Sequence, residues 1–463
     1  MTVNDNKRPV VVESGLDIEN VDQWSEDHKS LYVSEVAIDT NTVRAQQVDW
    51  YDAYTTYEKP IDRETAPAYV ADDADAPDAR LQNAFEKEIV DNLCNYLAAQ
   101  EPTIKMPDDV SQTKFDSFRN VSGFHKNLLD SLKFSAACGT GGLILYQDGA
   151  DVLLLPVKGY EYYALYDASG VNMLFAIRYY CERINNTTDQ WYAELYTPNK
   201  IYNFKGSSSY AAGFKYVDEV EHYFGIVPLI ETTVSPEEFP AFYPVRSLIN
   251  AYDRLVSDYS NEMENFRHAI MVLINYSADS DDVKTLRKTR TIQITDDGDV
   301  KYLTKDIKPE SFTTLIKILE KNIERFSGTL NYADPDVYGQ ATNLAISTRI
   351  KPLENNARAY GTRAKSMLLK MMNALSNFWG ISVGSPVFEW RAVEISWNYD
   401  KPVNMVELID VADKKQNNLG MSRQDAWEHL DIEVKTAIER ADDDREQRFG
   451  TLLDIESETE DVE

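Results

Sequence analysis

The segment YADPDVYGQATN, residues 332–343, holds acidic residues at a spacing that could bind calcium. Positions 1, 3, 5 and 6 of a twelve-residue EF-hand loop fall on Asp334, Asp336, Tyr338 and Gly339. The bidentate glutamate that ends such a loop is replaced by Ala345, and Pro335 is unsuited to the turn. We therefore expect no metal ion here, and no neighbouring residue makes the two aspartates a catalytic pair.

The segment CGTGGLIL, residues 138–145, has the glycine content of a nucleotide-binding loop. A Walker loop needs Gly-Lys-Ser/Thr at its end, and this ending is absent. A dinucleotide fingerprint starting at Gly139 and Gly141 would need its third glycine where Ile144 stands. The spacing favours a tight turn from a helix into a strand.

The remaining residues with catalytic potential form no recognisable site. The chain has five histidines, namely His28, His125, His222, His268 and His429. None belongs to an HxH, HExxH or Cys/His cluster, and no GxSxG nucleophile motif occurs. We therefore predict no enzymatic activity, no cofactor and no metal, with an acidic intracellular hydrolase as a less favoured alternative.

Composition narrows the possible partners and the compartment. The 77 acidic residues outnumber the 47 basic ones, and a net charge of −30 is the opposite of what tight binding to DNA requires. Cys94, Cys138 and Cys181 are widely separated, which favours buried free thiols in a reducing compartment. With no apolar run long enough to span a bilayer and no signal-peptide core, we expect a soluble protein made in a cytoplasm.

Basic residues nevertheless concentrate in two places. Lys317, Lys321 and Arg325 lie four apart, beside Glu320 and Glu324. They could form a solvated face with intrahelical ion pairs, or contact phosphate. A second group follows the loop, at Arg349, Lys351, Arg358, Arg363, Lys365 and Lys370, with Glu354 as its single acid. That group predicts a partner, either acidic surface on a neighbouring subunit or phosphate.

Helices and hairpins are predicted over the first half of the chain. Residues 1–80 indicate an extended arm with short elements, and helices are expected at 81–100 and 111–137. A β-rich block follows, with one hairpin turned at Asp148-Gly149, a strand at 171–180 and a hairpin turned at Pro198-Asn199. Residues 222–233 close the block.

The second half begins with a long amphipathic helix. Its apolar stripe runs from Val245 to Ile270, which predicts a helix about 40 Å long. A compact insertion with a hairpin turned at Asp297-Gly298 follows, and a second amphipathic helix starts near Glu310.

After the loop, a helix is predicted from Asn343 to Phe378, with a kink or break at Pro352. A strand is expected at 387–398, and the next helix should start at Pro402 and be capped by Gly420. A further helix should start near Ser422, and the acidic tail at 442–463 should be solvated.

The order of these elements resembles the portal proteins of tailed double-stranded DNA viruses, especially the siphovirus type. The resemblance covers about 81–440 and lies in FGIVPLIE (224–231), SLINAYDRLVSDYSNEMENFRHAIMVLINY (247–276), IQITDDGDVKYLTKD (292–306), LEKNIERFSGTLNYADPDVYGQATNLAI (319–346) and LGMSRQDAWEHL (419–430). Many members of that family have a Ser-Gly pair where this chain has Gly-Gln-Ala-Thr after Tyr338, which leaves the start of the next helix open.

The resemblance implies an α+β fold with the parts of a portal. These would be an N-terminal arm (1–80), a wing (81–242 and 344–400), two antiparallel stem helices (243–267 and 310–330), a clip (268–309), a tunnel loop (331–343) and a helical crown with the tail (401–463). The tunnel loop would line a DNA channel through Asp334, Pro335, Asp336, Tyr338, Gly339, Gln340 and Asn343. Lys317, Lys321, Arg325, Arg349 and Lys351 would be basic channel contacts.

The resemblance also implies partners. The chain would form a homo-oligomeric ring, of about twelve subunits, at one capsid vertex of a virion assembled in the host cytoplasm. Double-stranded DNA would pass non-specifically through the ring, whose acidic wall would repel it. The terminase large subunit, the major capsid and scaffold proteins and a head-completion adaptor would dock on it, with no membrane involved. The alternative is an oligomeric scaffold of another kind.

Overall fold

The computed structural model describes residues 18–56, 79–185, 188–206, 213–266, 270–274, 299–303, 309–330, 343–381, 387–399 and 405–419. The chain divides into two units, and each is described by itself. The first comprises Met1–Thr329 and Asn355–Tyr399, and the second comprises Leu330–Glu354 and Asp400–Glu463. A mixture of helices and antiparallel sheets builds the described residues, in agreement with the predicted α+β class.

Two antiparallel sheets form the centre of the first unit. The three-stranded sheet has the order β3-β2-β9, from β2 (Thr140–Asp148), β3 (Asp151–Lys158) and β9 (Leu229–Thr233). The five-stranded sheet runs in chain order through β4 (Tyr162–Tyr166), β5 (Met173–Asn185), β6 (Thr188–Tyr196), β7 (Lys200–Lys205) and β8 (Lys215–Glu221). The hairpins predicted at Asp148-Gly149 and Pro198-Asn199 are confirmed, the first with Gly149 at a φ of 61°.

The N-terminal residues fold against this block, so the expectation of an extended arm is wrong for residues 18–56. They form α1 (Glu26–Asp39) and α2 (Asn41–Thr55). Tyr32 and Val33 of α1 are buried with Phe175 and Phe204 on one face of the five-stranded sheet. The sequence pattern misled because Leu31 and Ile38 are apolar but exposed, so the apolar residues of α1 do not form one clear stripe in the sequence.

The predicted helix at 111–137 is two helices. These are α4 (Asp109–Ser122) and α5 (Phe124–Cys138), which follow α3 (Phe85–Ala98) and the short strand β1 (Thr103–Lys105). Gly123 separates them with a φ of 60°, in the left-handed region that ends a helix. The predicted turn after Cys138 is confirmed: α5 ends there, Gly139 has a φ of 85° and β2 starts at Thr140.

A pair of long helices follows β9. A 3-10 turn at Tyr243–Val245 leads into α6 (Arg246–Phe266), and α7 (Pro309–Ser327) packs against it. Ile270 does not continue α6, because it starts β10 (Ile270–Ile274), which pairs with β11 (Asp299–Leu303). The predicted turn at Asp297 and Gly298 lies outside the described residues, and within them the partner of β11 is β10.

The last described elements bear on two further expectations. Helix α8 (Asn343–Trp379) continues through Pro352, so the alternative of a break is wrong and the kink stays a prediction; the division between the two units falls after Glu354 of this helix. The predicted strand at 387–398 shrinks to β12 (Glu394–Ser396), paired with β1 and preceded by a 3-10 turn. Helix α9 spans Met405–Leu419, whereas the predicted caps at Pro402 and Gly420 and all of 420–463 lie outside the described residues.

The thiols only partly match the prediction. Cys94 and Cys138 are buried, and burial raises the pKa of the Cys138 thiol to about 12 and that of Cys94 further. Cys181 is exposed on β5, so the expectation of a buried thiol is wrong there, because the outer face of this strand lies beyond the core. In the described part of the chain, no helix is long and apolar enough to cross a membrane.

Candidate functional site

The predicted loop residues receive no structural description. Asp334, Pro335, Asp336, Tyr338, Gly339 and Gln340 lie outside the described residues, as do Asp297 and Gly298. Asn343 is the first residue of α8. The helices α6 and α7, which the sequence analysis placed before the loop, are described and carry three of the five predicted basic contacts.

The inner side of the helix pair is held by apolar and aromatic contacts. The rings of Tyr259 on α6 and Phe312 on α7 stack with centroids 3.9 Å apart, and Ile323 is buried. The Tyr252 hydroxyl donates a hydrogen bond of 3.0 Å to a Glu320 carboxylate oxygen. Burial, the hydrogen bond to Glu320 and its charge raise the pKa of Tyr252 to about 12, so this hydroxyl remains a donor at neutral pH.

A second side of α7 is apolar and exposed. Leu315, Ile318 and Phe326 are 44%, 50% and 58% exposed, although each is a large hydrophobic residue. At about 3.6 residues per turn they fall on one stripe along the edge of the apolar face whose centre, at Phe312 and Ile323, contacts α6. The contact with α6 therefore leaves one edge of the apolar face of α7 exposed.

The three predicted basic residues of α7 form an exposed stripe beside this apolar one. Lys317, Lys321 and Arg325 all lie on the side directed away from α6. Among the described residues, neither lysine forms an ion pair with a carboxylate, and Arg325 contacts the ring of Phe326, with its guanidinium 5.7 Å from the centroid. The intrahelical ion pairs considered from the sequence are thus absent from the described stripe.

The predicted basic residues of α8 fall into two groups. In the second unit, Lys351 lies 3.2 Å from the buried Glu354 carboxylate, and Arg349 is exposed. In the first unit the basic residues are used inside the chain. Arg363 donates to Thr233 over 3.2 Å, while Arg358 and Lys370 lie over the rings of Tyr399 and Tyr166 respectively. These three contacts account for part of the positive charge without any external partner.

A third side, on α6, is polar and buried, and the sequence analysis missed it. Asp253, Ser257 and Asn261 lie one turn apart and are each less than a tenth exposed. They bind the extended segment Ala79–Asn83, which we call the strap. The sequence did contain a sign of this buried polar side. Three short hydrogen-bonding side chains lie at i, i+4 and i+8, whereas a solvated helix face more often carries long charged side chains.

The strap is held through its backbone. The Ala79 amide donates to the Asn261 side-chain oxygen (2.6 Å), and the Leu81 amide donates to the Ser257 hydroxyl (2.9 Å). Asn83 donates to one carboxylate oxygen of Asp253 from both its backbone amide (3.1 Å) and its side chain (2.7 Å). Alternate residues of the strap are therefore bound by successive turns of α6.

Tyrosine and carboxylate groups join the two sheets. Tyr146 of β2 accepts a hydrogen bond from Arg178 of β5 at 2.8 Å, and Arg178 pairs with Glu194 of β6 at 3.2 Å. Glu231 of β9 accepts from Tyr162 at 3.0 Å and from Tyr166. Burial, reinforced by the carboxylate charges, raises the tyrosine pKa values, so these hydroxyls stay protonated and the networks act as structural bridges.

A small, partly open pocket of about 60 Å³ lies between α2 and the sheets. Arg44, Gln47, Thr140, Glu231 and Glu238 contribute its polar lining. The volume suits a few water molecules. Within the described residues, no three His, Cys, Asp or Glu side chains converge on a point that could hold a metal ion.

Comparison with known proteins gives consistent findings. The family model described as "Phage portal protein, SPP1 Gp6-like" matches residues 31–449. The portal protein of Clostridium phage phiCD119 is 24% identical over 232 residues, covering 48% of this chain and 50% of that protein. The portal protein of Bacillus phage SPP1 is 22% identical over 284 residues, covering 58% and 56%. The chain thus spans about half the length of the curated relatives it matches.

Among solved structures, a chain from the neck of an empty GTA particle, computed with C6 symmetry, aligns over 74% of this chain and 89% of its own length. The two are 10% identical, with a TM-score of 0.44.

Proposed function

The chain belongs to the SPP1 Gp6-like phage portal protein family, and on this premise we propose that it is the portal subunit of a tailed virus. It forms a ring at one capsid vertex, through which DNA enters during packaging and leaves during ejection. The role is structural and includes no catalytic step. The terminase motor docks first and the head-completion adaptor later, while the capsid and scaffold proteins surround the ring.

The exposed apolar stripe of α7 is the observation that carries the proposal. Leu315, Ile318 and Phe326 remain about half exposed beside the contact with α6, and burying such a side chain contributes about 1.5–3 kcal/mol. In a closed ring every α7 meets the same neighbour, so one stripe is covered repeatedly around the circle. A helix pair whose apolar face extends beyond the contact within the pair is suited to this arrangement.

The charge distribution supports passage of DNA without tight binding. Each subunit carries a net charge of −30, so a ring of identical chains repels the duplex over most of its surface. Lys317, Lys321 and Arg325 supply a limited positive stripe, which can make brief phosphate contacts. The two aspartates of the tunnel loop, Asp334 and Asp336, add repulsion where the channel is narrowest.

We assign the parts as the family order implies. Helices α6 and α7 are the stem, the insertion at 268–309 is the clip, and 331–343 is the tunnel loop. The wing combines 81–242 with 344–400, and the crown starts at 401. Since α1 and α2 pack onto the sheets, residues 18–56 are included with the wing in this assignment.

The test of ring formation is a charge placed in the apolar stripe. Ile318→Glu should prevent ring assembly, because a carboxylate buried against an apolar neighbour is strongly unfavourable. Negative-stain microscopy and native mass spectrometry measure the assembly state. Thr313→Glu is the matched control, since it adds the same charge at an exposed position on another side of α7, away from the apolar and basic stripes. Rings formed normally by Ile318→Glu would contradict this use of the stripe.

The test of the channel uses packaging. Deletion of residues 331–340 should leave rings intact and reduce the DNA retained in filled heads. Replacing Lys317, Lys321 and Arg325 by glutamine should change the salt dependence of filling and leave assembly unchanged. Normal filling and retention by the deletion variant would show that 331–340 do not act as the tunnel loop.

A further inference from the structure

The structure assigns the strap, Ala79–Asn83, a mechanical role: we propose that it fixes the position of α6 along its own axis relative to α3. The strap passes directly into α3, whose first residue, Phe85, contacts Tyr252 of α6 edge-on with ring centroids 5.0 Å apart. Movement of α6 along its axis must therefore break the strap contacts or pull on the start of α3. This role is independent of whether the chain assembles into a ring.

The spacing of the contacts explains why an extended segment fits a helix here. Four residues of helix rise about 6.0 Å, and two residues of extended chain span about 6.6 Å. Asp253, Ser257 and Asn261 therefore meet Asn83, Leu81 and Ala79 in step, with the two segments running in opposite directions. The match holds over three contacts, which is enough to define one position.

Burial makes this position costly to leave. Asp253, Ser257 and Asn261 are nearly inaccessible to water, so a strap that slid out of step while remaining in place would leave its buried amides without their acceptors. A shift of α6 by one turn would bring two of the three side chains to the next alternate amide of the strap and carry the third beyond its end. Intermediate shifts would satisfy none of them, so the contacts favour discrete positions over continuous sliding.

Asn83 determines which of these discrete positions is occupied. The contacts at Ala79 and Leu81 use backbone groups and would form with any residue. The side chain of Asn83 adds a hydrogen bond of 2.7 Å to Asp253, and this contact depends on the residue type. Asn83 and Asp253 together therefore set the register of the strap on α6.

The experiment measures both the strap and the helix. Spin labels at Ala251 on α6 and Asn95 on α3, two exposed positions, report the distance between these helices in a Cys181→Ser background. In the triple variant Asp253→Ala, Ser257→Ala, Asn261→Ala, we expect the distance distribution to broaden or split. The amides of Ala79, Leu81 and Asn83 should exchange with solvent at least about tenfold faster, as loss of one hydrogen bond implies.

Conservative variants separate positioning from general destabilisation. Ser257→Thr keeps the hydroxyl and Asp253→Asn keeps an acceptor oxygen, so both should retain the parental distance distribution. If the triple variant fails to fold, Ser257→Ala alone should raise exchange at Leu81 and broaden the distribution, with Ala79 and Asn83 affected less. An unchanged distance distribution in a folded variant whose strap amides exchange fast would overturn the proposal.

Discussion

The two sheets formed by β2–β9, here called the β block, and the α6–α7 pair differ in how far their apolar surfaces are buried within the chain. In the block, the apolar centre of the five-stranded sheet is covered from within the chain, by α1 on one face and by the three-stranded sheet on the other. In the pair, α6 is covered on one side by the strap and on another by α7, whereas the outer stripe of α7 remains exposed. One region completes its own core, and the other leaves apolar surface for a further contact.

This difference separates stability from assembly. Substitutions in the block should change the free energy of unfolding, because the buried contacts are intrachain. Substitutions in the exposed stripe of α7 should change the free energy of unfolding little, because those side chains are already about half exposed within the subunit. The following predictions test the distinction from the largest expected effect to the smallest.

Phe204→Ala should lower the free energy of unfolding by about 3–5 kcal/mol. Phe204 is fully buried on β7 with Tyr32 and Phe175, so truncation leaves a cavity that a sheet closes poorly. Urea unfolding followed by circular dichroism measures the change. Val217→Ala, at an exposed position of the neighbouring strand β8, is the control and should change stability by less than about 0.5 kcal/mol. Equal effects would show that the block is not a closed core.

Arg178→Met should cost about 3 kcal/mol, because it leaves the largely buried Glu194 carboxylate without its cation. The exposed pair on the same sheet, Lys200 with Glu219, provides the comparison. Lys200→Met should leave the free energy of unfolding nearly unchanged, because an exposed ion pair is screened by water. A similar cost for both substitutions would mean that the Arg178–Glu194 ion pair stabilises the fold no more than an ordinary surface pair does.

Asp91→Asn should lower stability by about 1 kcal/mol at neutral pH and by less in acid. Burial raises the pKa of Asp91, but hydrogen bonds and charge from Lys133 and Lys87 outweigh it, so the pKa lies below its ordinary value of 3.8. A lowered carboxyl pKa stabilises the fold above the unfolded value, and this contribution disappears as pH falls through the folded value. Urea midpoints of both proteins between pH 7 and pH 3 should therefore converge below about pH 4.

Leu315→Lys should have the smallest effect on the subunit, less than about 0.5 kcal/mol on unfolding. The side chain is already 44% exposed, and a lysine can place its ammonium in water. The same change should weaken association between subunits, which analytical ultracentrifugation measures. A large loss of subunit stability would mean that the stripe is part of the internal core.

The sequence predicted the elements whose pattern is local. The hairpins at Gly149 and Pro198-Asn199 and the helices α6 and α7 were recovered because turn residues and apolar spacing specify them without distant partners. The end of α6 was misplaced, since Ile270 fits an apolar helix stripe as well as it fits a strand. Ile270 belongs to β10, whose partner β11 is distant in the chain. Helical periodicity, which is a local pattern of about 3.6 residues, gives no indication of such pairing.

Elements that depend on distant partners were missed or misjudged. Helix α1 is amphipathic only weakly, and it is stable because it covers Phe175 and Phe204 of the sheet. The contact of Asp253 with Asn83 joins residues that no local pattern connects. Of the candidate site, the sequence identified the basic stripe of α7 but gave no sign that an exposed apolar stripe lies beside it, since both sides have helical spacing.

The strap also has an evolutionary consequence. Because Asp253, Ser257 and Asn261 recognise mainly backbone groups, selection should act on these three helix positions and leave Ala79 to Gln82 free to vary. Asn83 is the exception, and it should covary with Asp253. In diverging homologues, short polar residues would then persist on a buried helix face opposite a segment whose own sequence has drifted.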